Sequence, residues 1–196
     1  VIEGSPDIGG SRASMCLMAA ETLGIDYELI RAQVGDTEST GFCNTTGGSR
    51  TTFATGMAVT QACEEVIREC KKRAALTWGI DEEMVDWEDG HAVPGPGVNA
   101  DVEALSLAQL AGKAGKTGGP IMGSASLNAQ GAGASFSVNI ADVRVDKETG
   151  KVDVVSFTAI QDAGTAIHPA YVEGQMQGGA VQGLGWALNE EYVFDE

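Results

Sequence analysis

The sequence predicts an α+β fold, a mixed sheet with β-hairpins packed against several helices, and three observations predict it. Residues 50–78 place Cys63, Ile67, Cys70 and Ala74 at helical spacing, with Val59 and Val66 alongside. Residues 136–145 and 152–159 alternate apolar and polar side chains on either side of a Lys147-Glu148-Thr149-Gly150 turn. Between these blocks, Asp89-Gly90 separates two short runs as a hairpin turn would.

The elements follow in chain order. Residues 1–4 read as the end of a strand, and Ser5-Pro6-Asp7-Ile8-Gly9-Gly10 as a glycine turn. Ser11 is then expected to cap a helix through Leu23, with Met15, Met18, Ala19 and Leu23 near one face and Gly24 as its C-cap. Residues 27–34 alternate well enough to predict a strand, although Ile30 disturbs the period. A loop of small polar residues, 35–48, leads into the long helix over 50–78, whose outer face offers Glu64–Arg68 and Glu69–Arg73 as ion pairs. The hairpin joins 84–88 to 91–94, and a short helix over 105–114 is capped by Ser106. Residues 115–133 are loop-rich, with one strand expected near 121–127. In the strand pair, both runs change phase at similar distances from the turn, which predicts a bulge or a strand serving two packing partners. Pro169 opens a last helix towards Glu190, in the first-turn position that proline tolerates.

Composition narrows the function. Of 196 residues, 28 are Asp or Glu and 12 are Lys or Arg, a formal net charge of −16. Such a surface argues against sequence-independent nucleic-acid binding, which needs a basic face. No apolar run approaches the roughly 20 residues that cross a bilayer. The chain is therefore expected to be soluble, with neither nucleic acid nor membrane as partner. Glycine contributes 27 residues without a fixed period, about twice its usual ~7% share, so backbone turns tightly or approaches something closely. Cys16, Cys43, Cys63 and Cys70 do not make a disulfide framework, which predicts reduced thiols and a cytoplasmic setting. With only His91 and His168 and no paired-cysteine motif, no metal site is expected from this chain's own side chains. The chain opens on Val1 without a Met and closes soon after an apolar helix pattern, so it reads as a piece of a longer protein. It is taken as one segment over 1–196, with sub-lobes expected at 1–80 and 81–196.

Two identical tetrapeptides carry the strongest chemical signal. Gly9-Gly10-Ser11-Arg12 and Gly47-Gly48-Ser49-Arg50 each precede a helix pattern. A helix start leaves N–H groups unpaired and partly positive. Glycines admit a ligand to that backbone, serine adds a hydroxyl and arginine a planar cation, so two converging copies would bind an anion. The plainer reading makes both simply capped helix starts. A third glycine-rich stretch runs from Gly174-Gln175 to Gly185, inside the last helix pattern. Each glycine there costs roughly 1 kcal/mol relative to alanine, which calls for close backbone packing or for a cofactor beside Gln175. Asp7, Asp36 and Asp162 sit in glycine turns and read as turn formers, and His168 as an ordinary hydrogen-bonding residue.

The ordered series of motifs resembles the second molybdopterin-binding region in the large subunit of molybdenum hydroxylases. That family includes xanthine dehydrogenase, aldehyde oxidase and aerobic carbon monoxide dehydrogenase. The carriers are Gly4-Ser5-Pro6-Asp7-Ile8-Gly9 with Ala19-Ala20-Glu21-Thr22-Leu23-Gly24-Ile25, then Asp36-Thr37 with Thr46-Gly47-Gly48-Ser49-Arg50-Thr51-Thr52. Asp162-Ala163-Gly164, Ile167-His168-Pro169, Gly174-Gln175, Gln182-Gly183-Leu184-Gly185 and Glu190-Glu191 complete the series.

The resemblance implies that Gly9, Gly10, Ser11 and Arg12, together with Thr46, Gly47, Gly48, Ser49, Arg50 and Thr51, cradle the pterin and its phosphate, and that Gln175 hydrogen-bonds the pterin. The Gly-Ser-Arg-Thr form at 48–51 is similar to the carbon monoxide dehydrogenase-like branch, which implies molybdopterin cytosine dinucleotide. It further implies a parent enzyme that hydroxylates a small molecule with water-derived oxygen. Iron–sulfur clusters and FAD would lie on other domains or subunits, and the rest of the large subunit would be the nearest partner. Many family members carry Gly-Gln-Gly where this chain has Gly9-Gly10-Ser11, so Gly10 offers no amide. That departure keeps open a non-catalytic relative that binds another nucleotide or serves in assembly. No catalytic residue is expected within the segment, which alone should be inactive.

Overall fold

The computed structural model describes residues 1–98, 101–130 and 133–195. The helices and strands alternate with hairpins, and the strands form three small sheets rather than one mixed sheet. The chain divides into two compact units, Val1–Gln130 and Gly131–Glu196.

The first unit is organised by two helices, α1 (Ser11–Leu23) and α2 (Thr51–Trp78). Both end where the sequence places a stop, because Gly24 and Gly79 adopt left-handed φ of 69° and give their N–H to Ala20 and Ala75. On α1, Met15, Ala19 and Leu23 face Val59 and Cys63 of α2 in one apolar cluster. Further along, Cys70, Ala74 and Ala75 of α2 form a second cluster with Val85, Ala92, Leu105 and Leu110. One face of α2 therefore serves two cores, and the residues on either side of position 80 share one unit. Of the expected ion pairs, Glu69 holds Arg73, while Arg68 pairs with Glu65 at 3.4 Å instead of Glu64.

Strands β1 (Ile2–Glu3) and β2 (Gln33–Val34) pair in parallel. The strand expected over 27–34 is confined to that dipeptide. Tyr27–Leu29 instead form a 3-10 turn after Asp26, leaving Leu29 71% exposed, so the alternation had no sheet face to serve. The expected hairpin is present as β3 (Val85–Glu88) and β4 (His91–Pro94), and a short β5 (Leu105–Ser106) adds to β4. Ser106 caps α3 (Leu107–Gly112) in a full capping box with Gln109, and α4 (Ala114–Thr117) follows. No strand forms over 121–127. There the backbone lies along α2 instead, with Ser124 N–H donating to Glu65 Oε2 at 2.9 Å and Gly123 against the Ala62 carbonyl. The loop expected at 115–133 falls partly outside the described residues.

Trp87 fastens the hairpin to α1: its indole N–H donates to the Leu23 carbonyl at 3.0 Å. Trp87→Phe should cost about 1 kcal/mol, the net value of one such bond, read as faster hydrogen exchange at the α1 C-terminus. Cys70 is fully buried, and burial, followed by the neighbouring Glu69, pushes its thiol up to about 11. The folded chain thus keeps a proton that the unfolded chain loses near its ordinary pKa of 9.0. Its contribution to stability is present below that value and lost as pH rises towards about 11. At pH 8.5, iodoacetamide should leave Cys70 unlabelled in the native protein, as mass spectrometry would show.

The second unit contains β6 (Ser137–Val145), β7 (Val152–Gln161) and α5 (Pro169–Leu188). Asp142 faces Ser156 and Val143 faces Val154, so Val155 is the extra residue of a bulge. The bulge puts Val152, Val154 and Phe157 on the face that Ala141, Val143 and Val145 occupy, whereas Val138, Ile140 and Ile160 lie on the other. Of the two expected explanations, the bulge is present, on β7; no residue of either strand is buried, so two packing partners are not seen among the described residues. Asp146 closes the turn by accepting from the N–H groups of Glu148 and Thr149, bonds that hold its carboxyl below the usual carboxylate range. No described residue of this unit is buried.

Candidate functional site

The two tetrapeptides fold alike but in shifted register. Gly9 and Gly10 are both left-handed, with φ of 63° and 76°, and α1 begins at Ser11. In the second copy the left-handed pair is Gly48 and Ser49, with φ of 60° and 56°, and α2 begins at Thr51. Ser11 is therefore not the N-cap of α1; Gly10 holds that position, and the buried Ser11 hydroxyl turns back to the Pro6 carbonyl at 3.3 Å.

The consequence is electrostatic. All four leading N–H groups of α1 are taken: Ser11 by Ile8 O, Arg12 by Asp7 Oδ1, and Ala13 and Ser14 by Gly10 O. Asp7 caps the helix from outside and also holds the Arg12 guanidinium at 3.2 Å. The helix dipole and the arginine of the first copy are thus both answered by one carboxylate, and the N–H groups left without an acceptor among the described residues are those of the turn before the helix, at Asp7, Gly9 and Gly10.

The second copy is open. Arg50 N–H closes the turn onto Gly47 O, and the helical ladder begins only with Ala54 N–H to Arg50 O at 2.7 Å. Among the described residues, the N–H groups of Gly48, Ser49, Thr51, Thr52 and Phe53 have no acceptor. Arg50, half-buried, makes no ion pair there either. Gly47 has an ordinary φ, and a Cβ built on it would meet nothing within 4 Å, so nothing in the chain's own packing requires a glycine. Unpaired donors, a free guanidinium and an unfilled approach to the backbone together suit an anion such as a phosphate.

The two turns are joined beneath. Ser5 Oγ lies 2.7 Å from Thr55 Oγ1 and 3.2 Å from Cys43 Sγ, so the β1–α1 connection, the 35–48 loop and the first turns of α2 meet at one hydroxyl. The loop is where the sequence places it, but the link is not legible there, because a serine, a threonine and a cysteine tens of residues apart leave no periodic trace. Residues 9–12 and 46–51 therefore lie in one unit, and Gln175 lies in the other.

Gln175 stands in the second turn of α5, a helix with no buried residue. A Cβ at Gly174, Gly178, Gly179 or Gly183 would meet nothing within 4 Å, so the unit itself gives no packing reason for these glycines. His168 precedes Pro169 and stacks on Tyr171 at 3.8 Å, with its Nδ1 buried and without a partner among the described residues. Cys16, Cys43, Cys63 and Cys70 are free, only Cys43 escaping full burial. No group of side chains among the described residues could hold a metal ion, and none of the described helices is long and apolar enough to cross a membrane.

The starts of α1 and α2 belong to one unit, linked through Ser5 and Thr55, and that of α2 is open to an anion. The whole chain, residues 1–196, matches the family described as molybdopterin cofactor-binding domain, and the chain belongs to that family of molybdenum hydroxylase domains. Its relatives include the carbon monoxide dehydrogenase large chain of Hydrogenophaga pseudoflava, 29% identical over 95% of this chain and 23% of that one. Another is the nicotine 6-hydroxylase large subunit of Paenarthrobacter nicotinovorans, 27% identical over the same shares. In fold, the chain is similar to the Cu,Mo-CO dehydrogenase (TM-score 0.83, 21% identity, 99% of this chain and 25% of that one). It is also similar to quinoline 2-oxidoreductase from Pseudomonas putida 86 (TM-score 0.79, 25% identity, 98% and 25%). The chain thus spans about a quarter of the length of these proteins.

Proposed function

We propose that this chain holds the phosphate-bearing end of a molybdopterin cofactor for a molybdenum-dependent oxidoreductase of which it is one part. The observation that carries the reading is the open start of α2, where five backbone N–H groups and Arg50 await an anion. Gly48, Ser49, Arg50, Thr51 and Thr52 would hold the phosphate, with Thr46 and Gly47 bordering the approach. Gly9 and Gly10 would contribute their turn N–H groups, and Ser11 and Arg12 would shape that turn rather than bind charge. The family resemblance further assigns Gln175 amide hydrogen bonds to the pterin. Bound molybdopterin supplies two-electron redox chemistry at its metal.

The chain's own share is electrostatic and positional. The partly positive start of α2 and the Arg50 cation offset phosphate charge in a protein of net charge −16. A second phosphate, as in the cytosine dinucleotide form, would take those N–H groups among Gly48, Ser49, Thr51, Thr52 and Phe53 that the first leaves open. The parent reaction in this reading is hydroxylation of a small molecule with water-derived oxygen, and electrons leave through iron–sulfur clusters and FAD on other domains or subunits. The reading puts the parent in the cytoplasm, which the four free cysteines support.

The test is molybdenum per chain, and the nucleotide released by acid hydrolysis, from the full-length gene product purified with its neighbouring subunits. Near-stoichiometric molybdenum with CMP is expected. Molybdenum without CMP would remove the dinucleotide, and the absence of both, in a host that matures a related enzyme, would remove the reading.

A further inference from the structure

We infer that Ser5 is a positioning residue for the α2 cradle: its hydroxyl, shared between Thr55 and Cys43, sets where the 46–50 turn stands relative to the open helix start. The inference rests on the reading of that helix start as the phosphate cradle. Three observations carry it. Ser5 is 3% exposed, and its backbone is itself fixed, its N–H donating to Glu3 Oε2 at 3.1 Å. Its Oγ reaches Thr55 at 2.7 Å, and Thr55 lies one helical turn below Thr51 on the same side of α2. Its second contact, Cys43 Sγ at 3.2 Å, is the one hydrogen bond among the described residues that ties residues 41–46 to another element.

The loop also presses on this point sterically. A Cβ at Gly4 would stand 3.0 Å from Cys43 Cβ and 3.4 Å from Thr40 Oγ1, so the loop lies directly on the Gly4-Ser5 backbone. Between Cys43 and Thr51, the chain must pass through two consecutive left-handed residues whose own packing is slight. The segment that meets the anion therefore has one serine hydroxyl bonded on both sides of it, at Cys43 and at Thr55, and Arg50 N–H to Gly47 O as its internal bond. Losing either arm moves N–H groups that need to converge within hydrogen-bond reach, without touching the ligand itself.

The experiment uses the assembled parent enzyme with Thr55→Val, Thr55→Ser, Ser5→Ala and, as a reference, Arg50→Ala. Each is warmed mildly, and the molybdenum released, with the CMP obtained by acid hydrolysis of the released cofactor, is followed with time. Thr55→Val and Ser5→Ala should release both about five-fold faster than wild type, the factor expected for one hydrogen bond. Thr55→Ser, which restores the hydroxyl, should return to within about two-fold of wild type. That rescue separates positioning from general loosening of α2. Should the buried Ser5→Ala fail to assemble, the half-buried Thr55 pair decides alone. Rapid release from Arg50→Ala with wild-type behaviour in Thr55→Val would overturn the positioning role and leave the cradle standing. Wild-type release from Arg50→Ala as well would remove the cradle and this inference with it.

Discussion

Arg50→Ala lowers the molybdenum and CMP content of the purified parent enzyme by about ten- to a hundred-fold, whereas Arg12→Ala changes it by no more than a few-fold. The two residues occupy the same place in identical tetrapeptides, so sequence alone would assign them one effect. Their surroundings differ in charge. Arg12 is answered by Asp7, through both its guanidinium at 3.2 Å and its backbone N–H at 3.0 Å, and it faces solvent with 56% of its side chain exposed. Such a pair is worth little to a distant anion. Arg50 has no carboxylate partner among the described residues and stands at the head of a helix whose first N–H groups are open. Hydrogen bonds to charged groups contribute roughly 1.5–3 kcal/mol, and 1.4 kcal/mol is a factor of ten, which gives the expected range. Arg50→Lys should recover only part of the loss, because an ammonium keeps the charge but not the two-pronged geometry. Molybdenum content unchanged in Arg50→Ala would take Arg50 out of the site.

Much of the fold is legible in the sequence wherever a local rule has no competitor. The stripe of Cys63, Ile67, Cys70 and Ala74 has a single solution, and α2 is found between Thr51 and Trp78. Gly24, Ser106 and Pro169 each mark a boundary by chemistry that works at short range. The misreadings occur where a tertiary contact outranks the local pattern. Residues 121–127 offer only Ile121 as a strong strand former, and Glu65 on α2 takes the Ser124 N–H that a ladder would use. The alternation over 27–34 lacks a neighbouring strand for most of its length, so only Gln33–Val34 pair.

The candidate site was legible to the level of residue type and not beyond it. Glycine, serine and arginine before a helix announce an anion-friendly backbone, and both copies announce it equally. What separates them is a carboxylate five residues upstream of Arg12, and a one-residue shift of the left-handed pair that moves the second helix start out to Thr51. Neither shift nor cap follows from the tetrapeptide. The apolar surface of the second unit is a related case. Val138, Ile140, Val143 and Val155 read as core by alternation, yet each is more than half exposed in this chain. In a chain that spans about a quarter of its relatives' length, these apolar faces have no cover among the described residues.

Gly24→Ala destabilises the α1–hairpin junction by about 2–5 kcal/mol, and Gly90→Ala by a similar amount, yet the double variant loses much less than the sum. Gly24 carries a φ of 69° and Gly90 a φ of 74°, where a side chain costs about 1–2 kcal/mol on conformation alone. The two residues also face each other. A Cβ on Gly24 would stand 2.7 Å from Gly90 N, and one on Gly90 would stand 2.8 Å from Gly24 O and 2.6 Å from Ile25 Cγ2. Backbone cannot yield as a flexible side-chain tip can, so overpacking adds about 1–3 kcal/mol. Each substitution alone must push the Asp89-Gly90 turn away from the end of α1, stretching the Trp87–Leu23 bond that fastens the hairpin there. Once the turn has been displaced, the second Cβ enters space already opened and adds mainly its conformational cost. Hydrogen exchange of the α1 and β3–β4 amides in the parent protein measures the three variants directly, and the coupling should exceed about 1 kcal/mol. Additive losses would mean that Gly24 and Gly90 are needed only for their φ, and that the close approach of the two backbones contributes nothing to where the hairpin sits.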